Sequence, residues 1–486
     1  MTHREAKVLR VASLARVEGE GALHLRLQDG EVAEARLKIY EPPRFFEAFL
    51  RGRSYTEPPD ITSRVCGICP VAYQISACRA IEDACGTVVD GQLAALRRLL
   101  YCGEWIESQT LHIYMLHAPD FLGVDSVIDL ARTHRTHVEQ GLRLKQTGNT
   151  IMELLGGRAI HPINVRIGGF HRAPTRSELR PLAERLKRAR DDAEATVRWV
   201  AGFDFPDAGI DTELLALAEP GVYAIDSGTP TAMAAPGTAG LPGDSDRALP
   251  TRTFPLHTFP DHVIETQVPH STALHSTLDG HHHLTGTLAR YAISGRWLPP
   301  DVLRAAREAG LGDPREGMVC RNPFRSIIVR AIEVLYAVGE ALRLIQDYEP
   351  PARPYLDVPA RAGTGHGATE APRGLLYHRY TLDPDGTVTQ AALVPPTAQN
   401  QAAIEQDLRR SVQERLGADA GAHPTDTELT ALCERVIRNH DPCISCSTHF
   451  LDLTVVRNPG GPGPTKPGGS HPAYPRTAGR EETASG

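Results

Sequence analysis

Two cysteine pairs are the residues best placed to do chemistry: Cys66-Gly67-Ile68-Cys69 near the start and Cys443-Ile444-Ser445-Cys446 near the end. A tight turn lets both sulfurs of such a pair converge on one ion. Four thiolates suit zinc, an iron–sulfur cluster or a nickel–iron centre, and spacing alone does not choose among them. Structural zinc is the commoner fate of two such pairs, but zinc staples usually hold only about 15–20 residues between them. Here Cys66 and Cys443 stand 377 positions apart. A site joining them lies at the heart of the whole fold, which favours catalysis over a local staple. The other five cysteines, Cys78, Cys85, Cys102, Cys320 and Cys433, lack paired spacing and read as small core residues.

The elements that must bring the pairs together can be read from pattern. Leu23, Leu25 and Leu27 alternate with polar residues, Asp29-Gly30 is a turn, and Ala33, Ala35, Leu37 and Ile39 alternate after it, which predicts a hairpin within an N-terminal β region of about residues 8–40. Beyond Cys69 the pattern becomes helical. Gln92 to about His117 reads as a long helix ended near Pro119. Thr175-Arg176-Ser177-Glu178 has capping-box spacing ahead of a helix to about Ala201. Asn322-Pro323 opens a mostly apolar helix to about Asp347, and Thr425 to Glu428 caps one running to about Asn439. Asp441-Pro442 then breaks the chain, placing Cys443 on a loop. Residues 219–262 read as irregular, the His281-His282-His283 run as a solvated loop, and 458–486 as a disordered low-complexity tail. The expected fold is α+β, mainly α: a long-helix core with an N-terminal β region, forming one integrated domain over 1–457.

Composition bounds the rest. The balance of 52 basic and 59 acidic residues, a net charge of −7, gives no footprint for nucleic acid or an anionic membrane. No signal-like apolar run opens the chain and no stretch is long enough to span a bilayer, so a cytoplasmic protein is the expectation. Nine cysteines, an odd number, do not make a disulfide framework.

The flanks of the cysteine pairs carry more. Arg64-Val65-Cys66-Gly67-Ile68-Cys69 and Asp441-Pro442-Cys443-Ile444-Ser445-Cys446-Ser447-Thr448-His449 resemble the two signatures of the large subunit of nickel–iron hydrogenases. The resemblance extends over residues 10–457, through Arg16-Val17-Glu18-Gly19, Ala118-Pro119-Asp120-Phe121, Gly156 to Pro162, Gln267 to Ser271, Asn322 to Ser326 and Glu370-Ala371-Pro372-Arg373-Gly374. It looks closest to the cytoplasmic, bidirectional NAD(P)-linked branch, including the sulfhydrogenase alpha subunits.

The resemblance implies that Cys66 and Cys443 bind nickel terminally, while Cys69 and Cys446 bridge nickel to an iron carrying CO and CN ligands. It makes Cys443 the first proton acceptor in heterolytic H2 cleavage and Glu18 the next carrier; composition alone would leave Glu18 an exposed strand-end carboxylate. Arg373, after Pro372, would overhang the metals near the diatomic ligands, with Asp120 and Asp441 holding it or its pocket. Asp120 is otherwise only a helix-terminal cap. Glu47, His449 and a carbonyl near Leu393 would hold magnesium. Iron–sulfur clusters would lie on a partner small subunit and NAD(P) and flavin on diaphorase-type partners, since this chain has no dinucleotide fingerprint. Maturation proteins would insert the metals, and the family pattern predicts cleavage after His449.

Two positions depart from the family pattern. Tyr73 stands where many relatives have a histidine, which leaves the tuning of the site open, and Glu20 replaces another common histidine. Alternative functions are a hydrogen-sensing regulatory subunit and a non-catalytic relative in the manner of the complex I quinone-site subunit; the latter generally lacks the cysteine quartet that is complete here.

Overall fold

The N-terminal hairpin forms as its alternation requires. Strand β2 (Gly21–Gln28) pairs antiparallel with β3 (Glu31–Ile39), and β1 (Ala6–Val11) adds to the other side of β2. Asp29 and Gly30 both take positive φ, the conformation a two-residue hairpin turn demands. In this computed structural model residues 6–42, 44–238, 246–417 and 424–448 are described, and all fall within one compact unit. The expected tail at 458–486 lies outside the described residues.

Five long helices make the core: α1 (Pro70–Ala84), α2 (Gly91–Leu111), α3 (Arg135–Gly156), α4 (Arg176–Ala201) and, between later strands, α5 (Ser326–Gln346). Helix α5 is apolar around most of its circumference and packs against both α2 and α4, which explains why residues from Ile327 to Val338 are buried almost without a break. The capping box at Thr175 and Glu178 and the Asn322 cap are both formed.

Two expectations need correction. Pro119 does not end the second long helix. A π-helical turn over His112–His117 follows α2, and Pro119 then sits in the first turn of a short helix, Ala118–Leu122, where its missing N–H is not needed. Gly123, at φ 65°, ends the run. Residues 219–262 are not all irregular: Thr229–Met233 and Thr251–Thr253 are strands of a four-stranded sheet that also contains Glu213–Ala218 and His283–Thr285.

Strands β4 (Val263–Gln267) and β5 (Leu274–Leu278) form a separate hairpin. A three-stranded sheet, β6 (Gly363–Ala371), β7 (Gly374–Leu382) and β8 (Val388–Val394), lies on α1. The approach is close enough to require glycine. A Cβ at Gly365 would stand 2.0 Å from the Ala80 carbonyl oxygen, and one at Gly367 2.3 Å from that of Ser76. This contact seats the β6–β7 turn, with Arg373, beside the helix that begins just after Cys69. Helices α6 (Pro396–Gly417) and α7 (Asp426–Asn439) then carry the chain back to the second cysteine pair. Among the described residues no helix is long and apolar enough to cross a membrane.

Candidate metal centre

Cys66 follows a 3-10 turn in extended conformation, and Cys69 precedes α1. Cys69 offers no side-chain cap to that helix. The buried carboxylate of Glu104, on α2, caps it instead, accepting the Val71 and Ala72 N–H groups at 2.6 and 3.1 Å. The second pair sits just beyond α7, after Asp441 turns the chain at φ 49°.

The two pairs meet. Their four sulfurs lie within 4.8 Å of one another, all buried. The Sγ separations are 3.5 Å for Cys66–Cys443, 3.5 Å for Cys69–Cys446 and 2.8 Å for Cys443–Cys446. The thiols of Cys443, Cys446 and Cys69 hydrogen-bond to Cys66 and hold it well below the usual thiol range, with Arg373 helping, whereas burial pushes Cys443 well above it. Four buried thiolates cannot all ionise beside one another without a compensating cation, and soft sulfur donors select a soft transition metal. The donor set therefore fits a nickel–iron centre.

Glu18 reaches this cluster along the backbone. It forms an isolated parallel bridge with Cys443, its carbonyl accepting the Ile444 N–H at 3.0 Å. Its Oε2 lies 3.0 Å from the Cys443 sulfur and accepts the Ser445 N–H at 3.1 Å. The contact depends on Gly19, where a Cβ would stand 2.7 Å from that of Ile444. Glu20 is exposed, and its N–H binds Glu41.

Arg373 is fully buried and held at Asp441: Nε donates to the Asp441 carbonyl at 3.1 Å and Nη2 to its Oδ1 at 3.2 Å, while Nη1 meets Ser108 Oγ at 3.4 Å. The turn that aims it is fixed by Arg290. That guanidinium donates to the Ala371 and Pro372 carbonyls at 2.9 and 3.0 Å and pairs with Glu333 and Glu370 in full burial. Sequence reading missed Arg290, Glu333 and Glu104, because nothing local marks an arginine or glutamate whose partner is chosen by tertiary packing.

Among the described residues Asp120 pairs with arginines other than Arg373. Its carboxylate receives Arg438 through Nε at 2.7 Å and Nη2 at 2.8 Å, and Arg16 at 2.5 Å. Burial would raise Asp120, but the hydrogen bonds and charge of Arg438 hold it below the usual carboxylate range. It thereby ties the Arg16–Glu18 segment to α7.

Glu47 and Leu393 also come together, the Leu393 N–H donating to Glu47 Oε1 at 2.7 Å. Burial pushes Glu47 up to about 7. The neighbouring Glu265, missed in the sequence, is driven well above the carboxylate range by burial and then by Glu47, and its Oε1 is buried without a hydrogen-bond partner among the described residues. Two crowded carboxylates with an orphaned oxygen fit a hard cation. His449 lies outside the described residues. Tyr73 is buried near the sulfurs, its ring 5.6 Å from that of His378, and its hydroxyl has no hydrogen-bond partner among the described residues.

Comparison with known proteins agrees with this geometry. The family model for nickel-dependent hydrogenases matches residues 44–140 and 344–449. The alpha subunit of sulfhydrogenase 2 from Pyrococcus furiosus is 32% identical over 450 residues, covering 92% of this chain and 100% of that one. The chain belongs to the nickel-dependent hydrogenase family. An F420-non-reducing hydrogenase chain from Methanothermobacter marburgensis is 28% identical over 461 residues, 91% of this chain and 95% of that one. Among solved structures, an NAD+-reducing NiFe hydrogenase in its H2-reduced state superposes with a TM-score of 0.79 at 28% identity, over 91% of this chain and 99% of that one. The NiFeSe hydrogenase of Desulfomicrobium baculatum, at 20% identity and a TM-score of 0.72 over 91% and 100% of the chains, shares the fold. This hydrogenase large subunit thus has the α+β architecture expected of it.

Proposed function

We propose that this hydrogenase subunit is the catalytic one, splitting H2 reversibly and heterolytically, and that its electrons leave through iron–sulfur clusters on a partner small subunit and reach NAD(P) on diaphorase-type partners. The carrying observation is the buried four-cysteine cluster with Glu18 Oε2 3.0 Å from the Cys443 sulfur. Cys66 and Cys443 would hold nickel terminally, with Cys69 and Cys446 shared with iron. When bound, the nickel–iron pair with its CO and CN ligands supplies the redox-active site at which H2 is polarised.

The chain's own residues then divide the remaining work. Cys443 holds the first proton at Sγ, and Glu18 takes it onward through Oε2. The tether from the Ser445 N–H keeps that oxygen facing the sulfur. Arg373, fixed by Asp441 and the Pro372 turn, keeps a positive charge in the buried pocket beside the thiolates. Asp120 positions Glu18 indirectly through Arg16. Glu47, a backbone carbonyl near Leu393, His449 and the adjacent Glu265 would serve magnesium.

The name of the NAD+-reducing neighbour supports NAD(P) as the electron carrier, and that of the sulfhydrogenase supports a multi-subunit assembly. Cytoplasmic placement, metal insertion by maturation proteins and cleavage after His449 belong to the same reading. The test is the purified complex: stoichiometric nickel and iron, infrared bands of CO and CN−, H2-dependent reduction of NAD+ or NADP+, and an intact mass ending at His449. Zinc alone, without the infrared bands, would overturn the assignment; H2 oxidation with no pyridine-nucleotide reduction would overturn the carrier.

A further inference from the structure

One other group of metal-ligating side chains converges among the described residues: His270, His275 and Glu405, whose ligand atoms lie within 4.8 Å of one another. They come from three places. His270 is in the connection between β4 and β5, His275 is on β5, and Glu405 is on α6. That connection is built rigidly. Gln267 Nε2 donates to the Ser271 carbonyl at 2.9 Å, and Thr272 Oγ1 donates to the carbonyls of Ile39 and Glu41 at 3.1 and 2.8 Å, anchoring it to the end of β3. Glu405 Oε1 accepts both His270 Nε2, at 2.8 Å, and the Leu37 N–H of β3, at 2.9 Å. Neither bond uses Oε2.

His275 supplies the second, independent observation. It is 9% exposed, and its Nε2 is buried with no hydrogen-bond partner among the described residues. An imidazole nitrogen left bare inside a protein costs free energy unless something fills its lone pair. The two rings stand edge to face with centroids 5.4 Å apart. Two imidazoles with one carboxylate suit a borderline divalent ion, and the absence of sulfur from the set disfavours copper(I).

We propose that His270, His275 and Glu405 form a second metal site, separate from the cysteine centre, that binds a divalent transition-metal ion of the zinc class and pins the β4–β5 hairpin, β3 and α6 together. Helix α6 also carries Thr397, whose Oγ1 accepts the Cys443 N–H at 3.0 Å, so the ion would brace the helix that seats the catalytic cysteine.

The test uses the full complex with its nickel–iron centre filled, stripped of loose metal over a chelating resin and titrated with Zn2+, or with Co2+ for its visible ligand-field bands. The wild type should bind a stoichiometric zinc ion at micromolar or lower concentration and melt at a higher temperature once it is bound. His275→Phe replaces a partnerless ring with an apolar one of similar outline and should fold. It should weaken zinc binding at least about tenfold and abolish both the cobalt bands and the melting shift. Glu405→Gln should do the same. Zinc uptake by His275→Phe equal to that of the wild type, or no zinc uptake by the wild type, would overturn the proposal.

Discussion

Glu18 and Cys443 are 425 positions apart, yet the glutamate carboxylate and the cysteine sulfur stand 3.0 Å from each other because their backbones bridge. The bridge fixes the geometry of the pair for the proton transfer proposed above. Glu18→Gln keeps an oxygen to accept the Ser445 N–H and so preserves the tether, but it cannot take up a proton. Nickel and iron contents should therefore be unchanged while H2 oxidation falls roughly 100- to 10,000-fold. Full activity in this variant would remove Glu18 from the proton path.

Arg373 is gripped by both the carbonyl and the carboxylate of Asp441. A lysine keeps the charge but cannot span both acceptors. Arg373→Lys should retain the metals and lose turnover by roughly 100-fold, the scale of one removed electrostatic donor in a dry site. Metal analysis beside H2 uptake separates this from a failure of assembly.

Asp120 serves two arginines, one of them doubly. Asp120→Asn leaves the buried Arg438 with only Glu434, 3.4 Å from its Nη1, as counter-charge, so the cost should stay below the roughly 3–5 kcal/mol of a buried charge left unpaired. Its signature should be a lower melting temperature, with activity per bound nickel falling less than in Arg373→Lys. The reverse order would mean that Asp120 acts on the chemistry itself.

Tyr73 buries a hydroxyl with no partner among the described residues, near enough to the cysteines that their charges, after burial itself, raise its pKa. Removing an unsatisfied buried group relieves a penalty, so Tyr73→Phe should be as stable as the wild type or more stable by about 1 kcal/mol. The hydroxyl's proximity to the sulfurs predicts that the same variant shifts the CO and CN− infrared bands. A clear loss of stability with unmoved bands would assign Tyr73 to packing alone.

The parts of this site that were legible in the sequence are those whose geometry is local. The cysteine turns, the Thr175–Glu178 capping box and the Asp29-Gly30 hairpin each carry their structure in a few adjacent residues. What stayed hidden depends on distant packing. Arg290 looks like any helical arginine until Glu333 and Glu370 close on it, and Glu104 caps a helix other than its own. The strand at Thr229–Met233 contains Pro230 between two threonines, and only its pairing with Glu213–Ala218 makes it a strand. Pro119 stops a regular helix but not one already loosened by a π-turn.

The His281-His282-His283 run shows how far neighbours can diverge, and it yields a pH prediction. His281 and His282 are exposed as a solvated loop requires, but His283 begins a strand and is fully buried. Burial pushes His283 down to about 4, only partly offset by Gln399. A histidine whose folded pKa is depressed binds more protons when unfolded, between about 4 and its ordinary value of 6.5. Its burial is therefore tolerated in full above pH 6.5 and becomes costly as pH falls toward 4. The difference corresponds to at most about 3 kcal/mol, at 1.36 kcal/mol per pKa unit. His283→Gln removes the titration. Denaturation midpoints measured from pH 7.5 down to pH 4.5 should fall more steeply for the wild type than for the variant. Parallel profiles would show that His283 takes up its proton in the folded state without penalty.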